Sequence, residues 1–166
     1  MDFVIRTYRP TDYEWVVQAL IDLQEHERAI HDTRLPGEPA TTRLYLDGLL
    51  ERLAESHGVI LIAERHGVPI GLIGGHVVDE PWPVETRDST LYAYISDVFI
   101  RPEHRGSGLA EALFDAIAAH FMALPLPLAR LRVNALAVNR IACRAYEKAG
   151  FRPYEVMYER PLKAKS

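Results

Sequence analysis

The sequence predicts an α/β (α+β) fold: a mixed, mostly antiparallel sheet of six to seven strands flanked by helices. Three observations predict it. Apolar residues recur at helical spacing through residues 11–58, then change to continuous or alternating runs over 59–100. The turn Arg65-His66-Gly67-Val68 joins two of those runs as a hairpin. A helical pattern over 108–121 then lies between two strand-like runs, as in a strand–helix–strand crossover.

Each element follows in order. DFVIRTY, residues 2–8, reads as a first strand closed by Arg9-Pro10. Thr11 with Glu14 three residues on has the capping-box pattern. The helix that follows carries Val16, Ala19, Leu20 and Leu23 on one face, with Asp22, Glu25 and Glu27 largely elsewhere. Pro36, Gly37 and Pro39 break it. Residues 41–58 form a second helix with Leu46, Leu49, Leu50 and Leu53, stopped by Gly58. Residues 59–64 and 69–78 are the hairpin strands, 79–90 a polar loop, and 91–100 the fourth strand. A helix from about Gly108 aligns Leu109, Leu113, Ala116, Ile117 and Phe121, and ends at LPLP, residues 124–127. ARLRVNAL, residues 129–136, alternates as a strand. Residues 139–150 form a helix stopped by Gly150, and YEVMYERPL, residues 154–162, alternates as the last strand. No repeat or linker intervenes, so residues 1–166 read as one domain.

Composition narrows the function. The 166 residues are 48% hydrophobic and 25% charged, as expected of a soluble globular chain. A net charge of −4 argues against a general nucleic-acid binder. No apolar run approaches the roughly 20 residues of a membrane span, and MDFVIRTYRP has no basic region followed by an apolar core. The lone Cys143 allows no internal disulfide. A cytoplasmic protein is the expectation.

The informative stretch is IRPEHRGSGLAEALFDAI, residues 100–117. Gly106 and Gly108 sit where a helix begins, next to Arg105. The first amides of a helix lack intrahelical acceptors and carry partial positive charge. Without side chains to shield them they form an anion site suited to phosphate, and Arg105 adds a permanent cation. An ordinary turn would use the same glycines for geometry alone. No Gly-Lys-Ser/Thr follows, so this is not a Walker loop. A dinucleotide fold would place its glycines after the first strand.

A second segment accompanies it. ISDVFIRPEHRGSGLAEAL, with Arg105, Gly108 and Ala110, resembles the acyl-CoA-binding segment of the GNAT superfamily of N-acetyltransferases. NRIACRAYEKAGF, with Asn139, Tyr146, Gly150 and Phe151, is similar to that superfamily's second segment, at the right separation and within the right element order. The likeness covers nearly the whole chain. It departs at the end: family members commonly close with a two-stranded hairpin, and only residues 151–166 remain, interrupted by Pro153 and Pro161.

The resemblance implies acetyl-CoA as co-substrate and a sheet split between the fourth and fifth strands. It implies that Gly106, Ser107, Gly108, Leu109 and Ala110 hold the pyrophosphate, and that Val98, Phe99 and Ile100 pair with the pantetheine arm. A backbone N–H of that strand would polarise the thioester carbonyl, and Asn139 would donate to the same arm. Tyr146 follows Asn139 by seven residues, about two helical turns, so both face the same way. On its helix alone Tyr146 reads more readily as a half-buried aromatic with its hydroxyl bonded. The resemblance makes its phenol the general acid that protonates the departing thiolate.

The base is left unassigned. Strand alternation turns Asp97 away from the cleft if Ser96 and Val98 face it, unless a bulge intervenes. Asp97 then reads as a structural anchor. Cys143 reads as a small buried thiol, and the seven histidines show no metal spacing, so no metal is expected. Asp22, Glu25, Glu27, Asp79, Glu80, Glu85 and Asp88 favour a small cationic amine as acceptor. The reading is an acetyl-CoA-dependent N-acetyltransferase with a small-molecule amine substrate and no nucleic-acid or membrane partner. A homodimer, an acyl-CoA sensor without turnover, and a peptide N-acetyltransferase stay open.

Overall fold

The computed structural model describes residues 2–160 and 162. Its centre is a five-stranded sheet in sequence order. The strands are β1 (Val4–Thr7), β2 (Val59–Arg65), β3 (Val68–Asp79), β4 (Leu91–Ile100) and β5 (Leu131–Val133). Pairing is antiparallel from β1 to β4, and β5 joins β4 in parallel. The helices are α1 (Tyr13–Ile30), α2 (Pro39–Glu55), the single turn α3 (Arg87–Thr90), α4 (Leu109–Met122) and α5 (Arg140–Lys148).

Two cores flank the sheet. On one face Val16, Val17 and Leu20 of α1 and Leu46, Leu49 and Leu53 of α2 bury Ile60, Ile62, Leu72 and Phe99. On the other, Leu109, Leu113, Phe114, Ile117 and Phe121 of α4 pack on Leu61, Ile73, Ala93 and Ile95, and α5 adds Tyr146 at the margin. Leu109, Leu113, Ile117 and Phe121, which the spacing aligned, are buried, with Phe114 in addition, while Ala116 is only half-buried. The hairpin turn forms as expected, with His66 at φ 50° and Gly67 at φ 78°.

Three expectations are corrected. The Thr11–Glu14 capping box does not form. Residues 10–12 make a 3₁₀ turn in which the Asp12 carboxylate takes the Arg9 N–H at 2.7 Å and the Arg6 guanidinium at 2.8 and 2.9 Å, while Glu14 pairs with Arg43. A carboxylate already clamped by an arginine wins over a weaker hydroxyl cap. The fifth strand is three residues long rather than the whole of 129–136, because it leaves β4 after Val133. The sheet has five strands rather than six or seven: residues 154–160 form no strand, and Pro161 lies outside the described residues. A strand exists only where an edge accepts it, and a proline cannot donate to a ladder.

Candidate active site

β4 builds the site through one irregularity. Its register with β3 runs Gly75↔Ile95 and then Gly74↔Asp97, so Ser96 is an extra, bulged residue. Two glycines make this possible: a Cβ on Gly75 would lie 2.7 Å from the Tyr94 carbonyl oxygen. The bulge shifts the side-chain alternation. Ala93 and Ile95 face α4 before it, and Val98 and Ile100 do so after it. Tyr92 and Tyr94 therefore share the α1–α2 face with Asp97 and Phe99. The sequence reading turned Asp97 away; the bulge brings it to the same face as Tyr94.

Asp97 is 8% exposed, and both of its carboxylate oxygens accept from the Tyr45 hydroxyl of α2 at 3.0 Å. Burial pushes its carboxyl above the ordinary range, and the hydroxyls of Ser96 and Tyr45 act in the opposite direction. The Tyr45 ring is 47% exposed although its hydroxyl turns inward. Burial, with Asp97 beside it, raises the Tyr45 phenol. An open depression of about 230 Å³, lined by Leu44, Tyr45, Gly48, Leu49 and Arg52, adjoins this pair. His76 of β3 stands opposite Tyr94, ring centroids 5.6 Å apart, and burial and the charge of Arg52 lower its pKa from the ordinary value.

The other edge of β4 is open. β5 pairs only with Ala93, Tyr94 and Ile95, so the two strands part from Ser96 onward. Arg101 N–H donates to Ile70 O at 3.0 Å. By the antiparallel alternation the Phe99 amide also faces β3, and those of Val98 and Ile100 face the gap. The three strand residues thus divide. Val98 and Ile100 offer backbone to the gap, and Phe99 puts its ring edge-on against Trp15 in the α1–α2 core, at 6.3 Å.

The turn that opens α4 is equally bare. Gly106 and Gly108 have φ of +74° and +83°, and a Cβ on either would meet nothing within 4 Å. Backbone requirement and open space coincide there. The amides of Gly106, Ser107, Gly108, Leu109, Ala110 and Glu111 have no protein acceptor among the described residues; the ladder of α4 begins with Ala112 N–H on Gly108 O at 3.1 Å. Leu109 anchors the helix in the core at 1% exposure, and Ala110 is half-buried beside it. Ser107 Oγ donates to the His104 carbonyl at 2.7 Å, and Arg105 Nε to Ile100 O at 3.2 Å. Arg105 is thereby parked at the gap end of β4.

Across the gap, Asn139 caps α5: its Oδ1 accepts the Ala142 N–H at 3.1 Å. Its side-chain amide keeps its donors for another partner. Tyr146 is wedged against Phe114 at 5.7 Å and Phe151 at 6.0 Å. Its phenol makes no hydrogen bond with any described residue, and burial, with Glu27, Cys143, Tyr94 and Asp97 nearby, pushes it up to about 12. Those neighbours come from α1, α5 and β4. Tyr146 is near enough to Tyr94 and Asp97 of β4 for both to raise its phenol, and Asp97 in turn is held by Tyr45 of α2. Gly74-Gly75 was the one sequence signal for the bulge that places Asp97.

The acidic residues behave differently from the expectation. Asp79 pairs with Arg87, Asp88 with Arg130 at 2.7 Å, Glu25 with Arg28 at 2.7 Å and Glu27 with Arg34. Glu85 accepts from Ser89, and Asp22 from Gln18 at 2.9 Å. The loop and first-helix carboxylates are largely neutralised by neighbouring arginines. Among the described residues no group of three or more His, Cys, Asp or Glu side chains is placed to hold a metal, and no helix is long and apolar enough to cross a membrane.

A sheet splayed between β4 and β5, with a bare glycine turn opening the next helix, defines a GNAT-type fold. The model of the acetyltransferase (GNAT) family matches residues 18–151; the chain belongs to that family and is an acetyltransferase. Solved structures share the fold at low identity. A variant of the BH1408 protein of Bacillus halodurans superposes with TM-score 0.82 at 22% identity, covering 96% of this chain and 99% of that one. A predicted acetyltransferase of Clostridium acetobutylicum with acetyl-CoA gives 0.68 at 20% identity, covering 96% of each chain. The aminoglycoside 6'-N-acetyltransferase AAC(6')-Ih of Acinetobacter baumannii gives 0.65 at 15% identity, covering 98% and 99%. No curated protein matches the sequence.

Proposed function

We propose that the chain transfers the acetyl group of acetyl-CoA to a primary amine of a small molecule, by direct attack within a ternary complex. The observation that supports this reading is the buried Asp97 carboxylate, set by the bulge at Ser96 and near enough to Tyr146 to raise its phenol. The acetyl-CoA complex of a structurally similar protein supports the donor, and the aminoglycoside acetyltransferase supports a small amine as acceptor. The lone thiol, Cys143, fits a cytoplasmic setting.

In this reading the amides of Gly106 through Ala110 and the Arg105 guanidinium hold the pyrophosphate, and Val98, Ile100 and the Asn139 amide hold the pantetheine arm. The amine must be neutral to attack, because an ammonium has no lone pair. Asp97, raised by burial, accepts the amine's proton. The nitrogen forms a bond to the thioester carbon, and the negative charge on oxygen meets the Val98 N–H. When the carbon–sulfur bond breaks, Tyr146 gives its proton to the thiolate. A phenol pushed up to about 12 stays protonated across the working range. Preference for a cationic acceptor rests on Asp97, since Glu27 pairs with Arg34, Asp79 with Arg87 and Asp88 with Arg130.

The test is release of free thiol from acetyl-CoA with a panel of polyamines, aminoglycosides and lysine peptides, with the acetylated product identified by mass. Asp97→Asn should keep acetyl-CoA binding and lose roughly 10²–10⁴-fold in turnover. Wild-type turnover in that variant removes Asp97 from the chemistry.

A further inference from the structure

Three polar side chains form a row across the sheet on the α1–α2 face. The register sets His76 of β3 beside Tyr94 of β4, and Tyr94 beside Arg132 of β5. Arg132 lies between Leu131 and Val133, which pack toward α4, so its own side chain takes the opposite face. The contacts agree: its guanidinium stacks over the Tyr92 ring at 4.0 Å and over the Tyr154 ring at 4.4 Å.

None of the three is satisfied. His76 is 7% exposed, and its Nδ1 is buried with no hydrogen-bond partner among the described residues. Arg132 Nη2 is in the same condition. The Tyr94 hydroxyl between them makes no hydrogen bond with any described residue. A buried donor without an acceptor is costly and rare in native proteins. Packing does not account for it at Arg132. Two aromatic faces fix the plane of the guanidinium, and its in-plane N–H groups stay available for an acceptor.

Charge points the same way. Carboxylates of the first helix and the 79–88 loop have arginine partners, Glu27 in Arg34, Asp79 in Arg87 and Asp88 in Arg130. Arg132 and Arg52 pair with no carboxylate among the described residues. Arg52 lines the depression beside Tyr45, and its charge reaches His76 from α2. Unpaired cations thus stand at both ends of the row. A purely cationic or apolar ligand would leave them unmet. An oxyanion answers both charges and accepts from the donors between them.

The row adjoins the reacting end of the proposed site. Tyr94 is near enough to Tyr146 to raise its phenol. Asp97 follows Tyr94 in β4 after the bulged Ser96, roughly 7–10 Å along the strand at its usual rise. We infer that the acceptor is bifunctional, with the reacting amine at one end and an oxyanion, carboxylate or phosphate, at the other, held by Arg132, His76 and Arg52. This rests on the acetyl-transfer reading for the amine end and adds the group that selects among amines.

Four amines of one chain length test it: hexylamine, ε-aminocaproate, aminohexyl phosphate and hexamethylenediamine. Thiol release from acetyl-CoA gives kcat/KM for each, and calorimetry on the CoA-loaded protein gives binding without turnover. At least one anionic amine should exceed hexylamine by roughly 10- to 100-fold, the worth of a charge-assisted contact, with the diamine lowest. The better of the two anionic amines identifies the oxyanion. That preference should collapse in Arg132→Gln and diminish in Arg52→Gln, whose exposed position keeps the fold whatever Arg132→Gln does. Anion-dependent binding without thiol release supports the inference and removes the transfer reading. Turnover in which hexylamine or the diamine equals the anionic amines keeps that reading and overturns the inference. It is also overturned if neither anionic amine binds, or if the preference survives both substitutions.

Discussion

Tyr45→Phe isolates one contact. The substitution keeps the ring and removes the hydroxyl that donates to both Asp97 oxygens at 3.0 Å. Asp97 is held above the ordinary carboxylate range by burial, and this hydroxyl is one of the groups pulling it back down. A hydrogen bond to a charged group contributes about 1.5–3 kcal/mol net. Its loss therefore raises the Asp97 carboxyl further. Tyr45 is 47% exposed, so water reaches part of the vacated position and the rise should fall at the lower end of that range of energies. The sign is fixed: the base works as carboxylate, so a higher pKa moves the acid limb of kcat/KM to higher pH and leaves the alkaline plateau in place. The assay is thiol release against pH for both proteins, with one amine and saturating acetyl-CoA. The amine's own ionisation is then common to both profiles. An acid limb that stays put, or moves to lower pH, refutes the role of Asp97 as base or that of Tyr45 as the group that tunes it.

Tyr146→Phe should lower kcat by roughly 10²-fold with little change in acetyl-CoA affinity, because the ring keeps its packing on Phe114 and Phe151 and only the acid is lost. Rapid-quench or steady-state kinetics with wild-type turnover would return Tyr146 to a packing role. Arg105→Ala should weaken acetyl-CoA binding by about 1.5–3 kcal/mol, the worth of a charge-assisted contact, read by calorimetry. Unchanged affinity would leave Arg105 as a brace on the Ile100 carbonyl.

The sequence made the helices and the central hairpin legible because their signals are local. The spacing of Leu109, Leu113, Ile117 and Phe121 states which side of α4 is buried, whatever it packs against. The glycine turn was legible for the same reason: Gly106 and Gly108 report a left-handed backbone and an unshielded helix start in one short stretch. The last strand was not. Alternation over 154–162 says which side chains share a face but not which edge they pair with, and within one chain they pair with none. Asp97 read as a structural anchor because its direction depends on a bulge at Ser96, which shifts the alternation of every later residue in β4. Gly74-Gly75 on the partner strand permits that bulge, and strand-by-strand reading does not connect the two.

Charge was the least legible property, and it decides where acceptor specificity resides. Counting carboxylates in residues 79–88 suggested a negative field over the cleft. The structure pairs Asp79 with Arg87 and Asp88 with Arg130, which fastens the loop to α3 and to the start of β5. These pairs are about half exposed, so each contributes little to stability, yet each cancels the far field of its carboxylate. What survives is the buried Asp97, with Glu27 close enough to raise it. A buried carboxylate is screened far less by salt than a surface one. In the proposed reading, recognition of the amine is local, at the nitrogen that reacts, and the rest of the acceptor would meet Tyr45, Tyr94 and the open depression along α2. On that reading, discrimination among amines would fall to the shape of that wall rather than to their total charge.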